Sequence, residues 1–191
     1  MIKAIIFDCF GVLVTEGFTA LRQEYFDNDY EKLSQVHDIS RRLNLGQISY
    51  DDSVKETAAL AGIKEADVRS YIDQNHPNQP LFALVKEQLK PKYKIGMLSN
   101  AGADWLSELF TPQQLEYFDA TVLSYQTGFI KPQSEIYKLA AEILNVEPEE
   151  CVFVDDSEGH CSAAALANMK AIWYRDFSQF KTELDDILSH S

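Results

Sequence analysis

The stretch that most constrains the fold runs from residue 2 to residue 14 and reads IKAIIFDCFGVLV. It begins with an apolar, largely β-branched run that suits a short strand buried on both faces, as in a parallel sheet. Asp8 follows this run directly, at the carboxyl end of the predicted strand. Because α/β proteins bind ligands at that edge of a sheet, this position favours a functional carboxylate. A structural role, in which Asp8 caps the following turn, is equally consistent with the stretch alone.

The next segment, residues 15–90, contains no convincing strand and is predicted to be helical. Breaks rich in Gly, Asn and Pro separate its helices. The predicted helices are Phe18–Phe26, Tyr30–Leu43, Tyr50–Ala61, Lys64–Gln74 and Gln79–Leu89. We therefore expect an all-helical insertion of about 75 residues after the first strand.

From residue 93 onward, strands alternate with helices. The predicted strands are Tyr93–Leu98, Ala120–Leu123, Cys151–Val154 and Ala171–Tyr174. The predicted helices are Ala103–Phe110, Pro112–Phe118, Ser134–Leu144, Cys161–Ala167 and Phe177–Leu188. Alternation of this kind predicts an α/β fold with a doubly wound parallel sheet of about five strands. Residues 1–14 and 91–191 would form this core, and residues 15–90 the insertion.

The amino-acid composition argues against some classes of binding partner. The 191 residues include 17 basic and 30 acidic side chains, for a net charge of −13. This charge argues against general binding to nucleic acid or to anionic membranes. The three cysteines lack zinc-ligand spacing and point to a reducing compartment, and no apolar run approaches the ~20 residues of a membrane span. We expect a soluble, cytoplasmic protein that is a monomer or a homodimer.

Polar residues follow three of the predicted strands, and a lysine precedes a helix. In an open parallel sheet these residues face one crevice. They are Asp8, Ser99, Asn100, Lys131, Asp155 and Asp156. Clustered carboxylates repel one another, and Mg²⁺ relieves that repulsion while also binding phosphate oxygens. A serine hydroxyl and a lysine ammonium hold further phosphate oxygens, and a carboxylate can attack phosphorus.

Four motifs at these positions resemble those of the haloacid dehalogenase-like (HAD) hydrolase superfamily. In chain order they read FDCFGVLV from Phe7, LSNA from Leu98, GFIKP from Gly128 and VFVDDSEGHCSAAALANM from Val152. The resemblance implies a Rossmann-like core under a helical C1 cap, as in subfamily I, and a phosphatase acting on a small phosphorylated metabolite. It also implies specific roles. Asp8 is the nucleophile, Ser99, Asn100 and Lys131 bind the phosphoryl group, and Mg²⁺ is held by Asp8, the Phe10 carbonyl, Asp155 and Asp156.

Phe10 departs from the family pattern, in which phosphatases usually carry a second aspartate two residues after the nucleophile. That aspartate protonates the leaving oxygen, and general acid–base catalysis is typically worth about 10²–10⁴-fold. A phenylalanine ring transfers no proton, so alkyl phosphates should react slowly and aryl or acyl phosphates should suffer less. Candidate replacement acids are Glu16, His76 and His160.

Two alternatives to a phosphatase follow from the same departure. The dehalogenase branch of the superfamily also carries an aromatic residue at the position of Phe10, and Arg41 or Arg42 would then meet the substrate carboxylate. However, that branch works without Mg²⁺, whereas Asp155 and Asp156 resemble a metal-binding motif. The second alternative is a phosphate- or partner-binding module with weakened catalysis, against which the complete set of site residues argues.

Overall fold

A single five-stranded sheet forms the centre of the computed structural model, which describes residues 1–190. All four neighbouring strand pairs are parallel, and the strand order is β3-β2-β1-β4-β5. The strands are β1 (Ala4–Phe7), β2 (Lys94–Ser99), β3 (Ala120–Leu123), β4 (Cys151–Asp155) and β5 (Lys170–Trp173). The predicted doubly wound, Rossmann-like parallel sheet is therefore confirmed.

Register places the functional strand ends side by side. Phe7, the last residue of β1, pairs with Met97 of β2 and with Val154 of β4. Asp8 and Asp155 each follow these paired positions directly, and Ser99 lies two residues after Met97. Three polar side chains from three adjacent strands thus reach the same edge of the sheet.

The segment between β1 and β2 is helical, as predicted. Its helices are α1 (Gly17–Tyr25), α2 (Tyr30–Asn44), α3 (Tyr50–Ala61), α4 (Glu65–Ile72) and α5 (Gln79–Leu84), and Val85–Leu89 continues α5 as a π-helical turn. Helices α1 to α4 pack around their own apolar cluster, formed by Leu21, Phe26, Val36, Val54, Ala58 and Val68. In contrast, α5 and its π-helical turn bury their apolar residues against the sheet. The domain boundaries at residues 14 and 90 stay a prediction.

The remaining helices cover both faces of the sheet. They are α6 (Leu106–Leu109), α7 (Pro112–Leu115), α8 (Ser124–Thr127), α9 (Ser134–Ile143), α10 (Glu158–Leu166) and α11 (Phe177–Ser189), with a 3₁₀ turn at Pro148–Glu150. One face of the sheet packs with α5 and α11, and the other face packs with α9 and α10. Strands buried on both faces explain why β1 reads as a continuous apolar run.

Two predicted helices differ from the structure near the functional edge. The predicted helix Ala103–Phe110 is wrong in its first turn, because α6 begins only at Leu106 and the side chain of Asp104 accepts a hydrogen bond from the Leu106 N–H. The helix predicted from Cys161 begins three residues earlier, at Glu158. Ser157 explains this earlier start, since its hydroxyl caps α10 by accepting a hydrogen bond from the His160 N–H.

Phe180 tests the packing of α11 on the sheet. It is fully buried, and its ring centroid lies 6.1 Å from that of Phe7 and 5.7 Å from that of Tyr174. We expect Phe180→Ala to lower the free energy of unfolding by about 3–5 kcal/mol, because the surrounding core only partly fills the cavity. Urea denaturation measures this effect. The control is Phe129→Ala at an exposed loop position, and equal losses in both variants would contradict the packing account.

Among residues 1–190, no helix is both long and apolar enough to cross a membrane.

Candidate active site

The turn after β1 brings the first two carboxylates together. Asp8 is buried, and its Oδ1 accepts a hydrogen bond of 2.7 Å from the Cys9 N–H. Gly11 follows with a φ of +83°, and a Cβ atom on Gly11 would lie only 2.3 Å from Asp156 Oδ2. Only glycine combines this backbone conformation with so close an approach. The FDCFG sequence therefore shapes the turn that admits Asp156 beside Asp8.

Three carboxylates form a group suited to a cation. Asp8, Asp155 and Asp156 each offer one oxygen, and these three oxygens lie within 4.8 Å of one another. Hard oxygen ligands of this kind, open to added water or phosphate oxygens, match the preferences of Mg²⁺. The predicted metal ligands Asp8, Asp155 and Asp156 thus lie together, at the ends of β1 and β4.

Lys131 forms ion pairs with two of these carboxylates, Asp8 and Asp155. Its side chain is almost completely buried, and its Nζ lies 2.7 Å from Asp8 Oδ1 and 2.6 Å from Asp155 Oδ2. Burying an ammonium is costly unless it is paired, and here two carboxylates pair with it. Lys131 therefore fixes the geometry between the end of β1 and the end of β4.

The pKa values of this group follow from burial and charge. Burial raises the pKa of Asp8 well above its usual value, and the negative charge of Asp155 adds to the rise against the opposing effect of Lys131. Burial likewise opposes ionisation of Asp155, but Lys131 and His160 outweigh it and hold the pKa of Asp155 below its usual range. Partial removal from solvent, Glu16 and Asp155 raise the pKa of Asp156 to about 6. A cation at the site would offset this repulsion.

Three protein groups contact the side-chain carboxylate of Asp155. Its Oδ1 accepts a hydrogen bond of 2.9 Å from the Ser157 N–H and lies 3.0 Å from His160 Nδ1. Its Oδ2 accepts the hydrogen bond from Lys131. With both oxygens occupied by protein donors, Asp155 orients Lys131 and His160. Asp156 is the more open of the two adjacent carboxylates.

Ser99 and Asn100 differ in what their side chains contact. The Ser99 hydroxyl is buried and has no hydrogen-bond partner among the described residues, which is unusual for a buried polar group. Asn100 lines the adjacent cavity, but both ends of its amide bond the backbone of Lys131: Nδ2 donates to the carbonyl at 3.0 Å, and Oδ1 accepts from the N–H at 2.8 Å. Ser99 is thus free for a ligand oxygen, while Asn100 positions the loop that carries Lys131.

A cavity of about 720 Å³ opens from this edge of the sheet toward α1 to α4. Phe10 lines it, and the Phe10 ring packs edge-on against Trp105 with ring centroids 5.6 Å apart. Trp105 in turn contacts Tyr50 of α3 with a centroid separation of 6.1 Å. This chain of three aromatic rings joins the turn after β1 to the helical insertion. It also accounts for the late start of α6, because Trp105 faces the cavity instead of continuing a helix.

The candidate replacement acids are placed differently. Glu16 and His160 both line the cavity, whereas His76 is absent from the wall that residues 1–190 form. His160 has one ring nitrogen committed to Asp155, and Glu16 accepts a hydrogen bond from the Thr19 hydroxyl. Of the three candidates, Glu16 and His160 thus lie in the cavity wall.

The two arginines considered for a dehalogenase lie at the outer side of α2. Arg41 lines the cavity but is half-exposed and donates a hydrogen bond of 2.9 Å to Asp38. Arg42 is paired with Asp38 and Glu56 and is not among the residues of the cavity wall. Their placement gives no buried carboxylate pocket at Arg41 or Arg42.

Sequence reasoning missed several polar residues of the cavity wall, among them Arg22 and Thr57. Arg22 of α1 and Thr57 of α3 both line the cavity, and Thr57 is almost completely buried. Helical spacing was the available signal for Arg22, since it lies three residues after Thr19 on α1 and residues three apart are neighbours on a helix surface. Nothing in the sequence around Thr57 distinguishes it from an ordinary helix residue.

A family comparison agrees with this geometry. A model of the haloacid dehalogenase-like hydrolases matches residues 2–168, so the chain belongs to that family of enzymes. The match includes all four motifs up to Asn168 and spans the helical insertion.

The individual proteins that resemble this chain share about a quarter of the aligned residues with it. The chain is 25% identical over 213 residues to D-ribitol-5-phosphate phosphatase of Bacteroides thetaiotaomicron, covering 99% of this chain and 100% of that protein. It is 24% identical to bifunctional epoxide hydrolase 2 of Sus scrofa over 97% of its own length, but it spans only 39% of that longer protein. A HAD family enzyme from Bacteroides thetaiotaomicron, crystallised with magnesium and inorganic phosphate, matches at 25% identity with a TM-score of 0.70, over 94% of this chain and 99% of that chain.

Proposed function

We propose that this protein is a Mg²⁺-dependent phosphatase that acts on a small phosphorylated metabolite through an aspartyl-phosphate intermediate. The observation that carries the proposal is the geometry at the end of β1. There the buried Lys131 ammonium contacts both Asp8 and Asp155, and the unpartnered Ser99 hydroxyl lies at the end of the adjacent strand β2. A phosphoryl group bound here would meet a nucleophile and two donors for its oxygens.

Mg²⁺ would be held by carboxylate oxygens of Asp8 and Asp156 and by the Phe10 carbonyl, with Asp155 next to it. The close group of three acidic side chains supports this assignment. The bound cation would neutralise the charge shared by these carboxylates and by the substrate phosphate. Phosphoryl transfer depends mainly on such positioning and charge neutralisation, so these residues with a bound Mg²⁺ would supply the groups that the reaction needs.

The reaction would proceed in two displacements at phosphorus. A carboxylate oxygen of Asp8 forms a bond to phosphorus as the bond to the ester oxygen breaks, and that oxygen leaves with a proton. Water then attacks phosphorus, which releases inorganic phosphate and restores the Asp8 carboxylate. Lys131 and Ser99 hold the non-bridging oxygens throughout, and Asn100 keeps Lys131 in place.

Because Phe10 cannot donate a proton, protonation of the leaving oxygen would be the least well catalysed part of this reaction. Glu16 and His160 are the acids that line the cavity. If neither supplies the proton efficiently, esters with stable leaving groups are the better substrates, because their oxygen needs less protonation in the transition state.

The insertion at residues 15–90 would serve as a helical cap over the site. The aromatic contacts from Phe10 through Trp105 to Tyr50 support this, since they join the two parts directly above the crevice. A cap excludes water from the reacting phosphate and supplies contacts to the leaving group.

Relatives support a phosphatase more than a dehalogenase. One full-length relative is named as a phosphatase of a sugar-alcohol phosphate, and a structural neighbour was crystallised with magnesium and inorganic phosphate. A site with three clustered carboxylates also disfavours a substrate whose only anionic group is a carboxylate, unless a cation intervenes.

Hydrolysis of 4-nitrophenyl phosphate and of propyl phosphate, each with Mg²⁺ and with a chelator, tests the proposal. We expect the aryl ester to be hydrolysed only with Mg²⁺, and propyl phosphate to react far more slowly, because Phe10 offers no proton to an alkoxide. Chelator-resistant hydrolysis would contradict the metal assignment. If neither ester reacts while 2-chloropropanoate is dechlorinated, the phosphatase assignment is wrong.

A further inference from the structure

The cavity extends well beyond the space that a phosphate needs. Its volume of about 720 Å³ falls in the range of sites for whole small molecules. Much of its wall comes from the interior of the helical insertion and is apolar, with Phe18, Val54, Val68 and Ile72 among the lining side chains. The leaving group of the substrate thus has room to reach between α1 and α4.

Arg22 is the cation of this inner wall, and its contacts are unusual. Each of the other arginines, Arg41, Arg42, Arg69 and Arg175, donates at least one hydrogen bond to a carboxylate. Among residues 1–190, the Arg22 guanidinium donates none: its Nε is shielded from solvent and forms only an ion pair with Asp27 Oδ1, at 3.4 Å and outside hydrogen-bond geometry. A buried donor that makes no hydrogen bond is costly, and the Arg22 Nε is such a donor.

Helix geometry sets the distance between Arg22 and the reaction centre. Glu16, next to the start of α1, lines the same cavity as Lys131, whose Nζ contacts Asp8. Arg22 follows six residues later, on the order of 9 Å further along the helix axis, and lines the same cavity. Arg22 and Lys131 therefore share one cavity, whose wall also contains apolar side chains such as Phe18 and Ile72.

We propose that the substrate carries a second anionic group, a carboxylate or a second phosphate, at the far end of its leaving group, and that Arg22 binds this group. The inference rests on the proposed phosphatase function. It explains why the Arg22 side chain lines the cavity while its buried Nε has only the ion pair with Asp27 and no hydrogen bond among the described residues. Thr57, which is almost completely buried, lines the same cavity.

Other cations near the cavity are less suited to this role. Arg41 is half-exposed and already paired with Asp38, and His37 is exposed at the same outer part of α2. Lys131 is neutralised by Asp8 and Asp155. Arg22 is partly buried and donates no hydrogen bond to its one ion-pair partner, Asp27, so its donors stay available for charge-assisted hydrogen bonds to a ligand anion.

Two matched aryl esters test the inference: 3-(4-phosphonooxyphenyl)propanoate and its primary amide. They share a phenol leaving group and differ only in a distal charge. We expect kcat/KM of the acid to exceed that of the amide by about tenfold or more, mainly through KM, because the acid alone pairs with Arg22. In Arg22→Gln this ratio should fall to about one, and Arg22→Lys should restore part of it.

Arg42→Gln is the matched control, since it removes an equal charge from a position outside the cavity wall. It should leave the ratio of the two esters unchanged. Equal kcat/KM values for acid and amide in the unmodified protein, or a preference that survives Arg22→Gln, would overturn the second-anion site while leaving the phosphatase proposal standing.

A binding measurement separates the two proposals if turnover fails. Calorimetric titration with Mg²⁺ and the non-hydrolysable 3-(4-phosphonomethylphenyl)propanoate or its amide reports affinity alone. Tighter binding of the acid that disappears in Arg22→Gln, without hydrolysis of either ester, would retain the anion site and remove the phosphatase. Equal affinity of acid and amide would overturn the anion site.

Discussion

Replacing Asp8 with asparagine should reduce kcat for 4-nitrophenyl phosphate by a factor on the order of 10⁴ or more, as loss of a covalent nucleophile does in other enzymes. The amide is nearly isosteric with the carboxylate but attacks phosphorus poorly. The fold should persist, because Lys131 keeps its ion pair with Asp155 at 2.6 Å. Burial already disfavours the charged form of Asp8, as its raised pKa reflects, so the free energy of unfolding should not fall.

Steady-state kinetics and urea denaturation of the same preparation separate these effects. The control is Asp186→Asn, the same chemical change at an exposed position of α11. It should leave both kcat and stability unchanged. Retained hydrolysis in Asp8→Asn would remove Asp8 as the nucleophile, and a matching loss of stability would mean that the carboxylate is structural.

Replacing Phe10 with aspartate should raise kcat/KM for propyl phosphate by about 10²-fold or more, since general acid–base catalysis typically contributes that much. The new carboxylate would stand two residues after Asp8, in the wall of the cavity. The aryl ester should gain much less, because its leaving oxygen needs little protonation. Loss of the contact between Phe10 and Trp105 should cost about 0.5–1.5 kcal/mol of stability beyond the lost burial.

Phe10→Asn is the matched control for that gain. It removes the same aromatic contact and has nearly the same shape as aspartate, but it donates no proton to an alkoxide at neutral pH. The ratio of the two variants therefore isolates proton transfer from packing. Equal activity of Phe10→Asp and Phe10→Asn on propyl phosphate would mean that another group, Glu16 or His160, already serves as the acid.

The sequence was a reliable guide to the fold because local pattern and burial agree in this chain. Strand β1 reads as a continuous apolar run because both of its faces are covered, and the alternation of elements after residue 93 implies a parallel sheet. Prediction was weakest at α6, where Trp105 and the Asp104 side chain delay the start of the helix. Contacts with a distant part of the chain decided that boundary, and no local pattern reports such contacts.

The sequence by itself determined which chemical groups are present and which strand ends carry them. Asp8, Ser99, Lys131, Asp155 and Asp156 were predicted to share one edge, because parallel strands present their carboxyl ends on the same side. The structure brings the three carboxylates and Lys131 into contact distance there. The assignment of catalytic and metal-binding roles to them stays a prediction that the variants above address.

Only the tertiary structure decided which of those groups already have hydrogen-bond partners within the protein. Asn100 was predicted to bind substrate, but both ends of its amide hydrogen-bond the backbone of Lys131. The Ser99 hydroxyl beside it has no hydrogen-bond partner among the described residues. Among residues 1–190, the Arg22 side chain donates no hydrogen bond; it lines the cavity and forms an ion pair with Asp27 Oδ1 at 3.4 Å. A sequence records donors and acceptors, but pairing depends on distances of a few ångströms between residues far apart in the chain, and packing alone sets those distances.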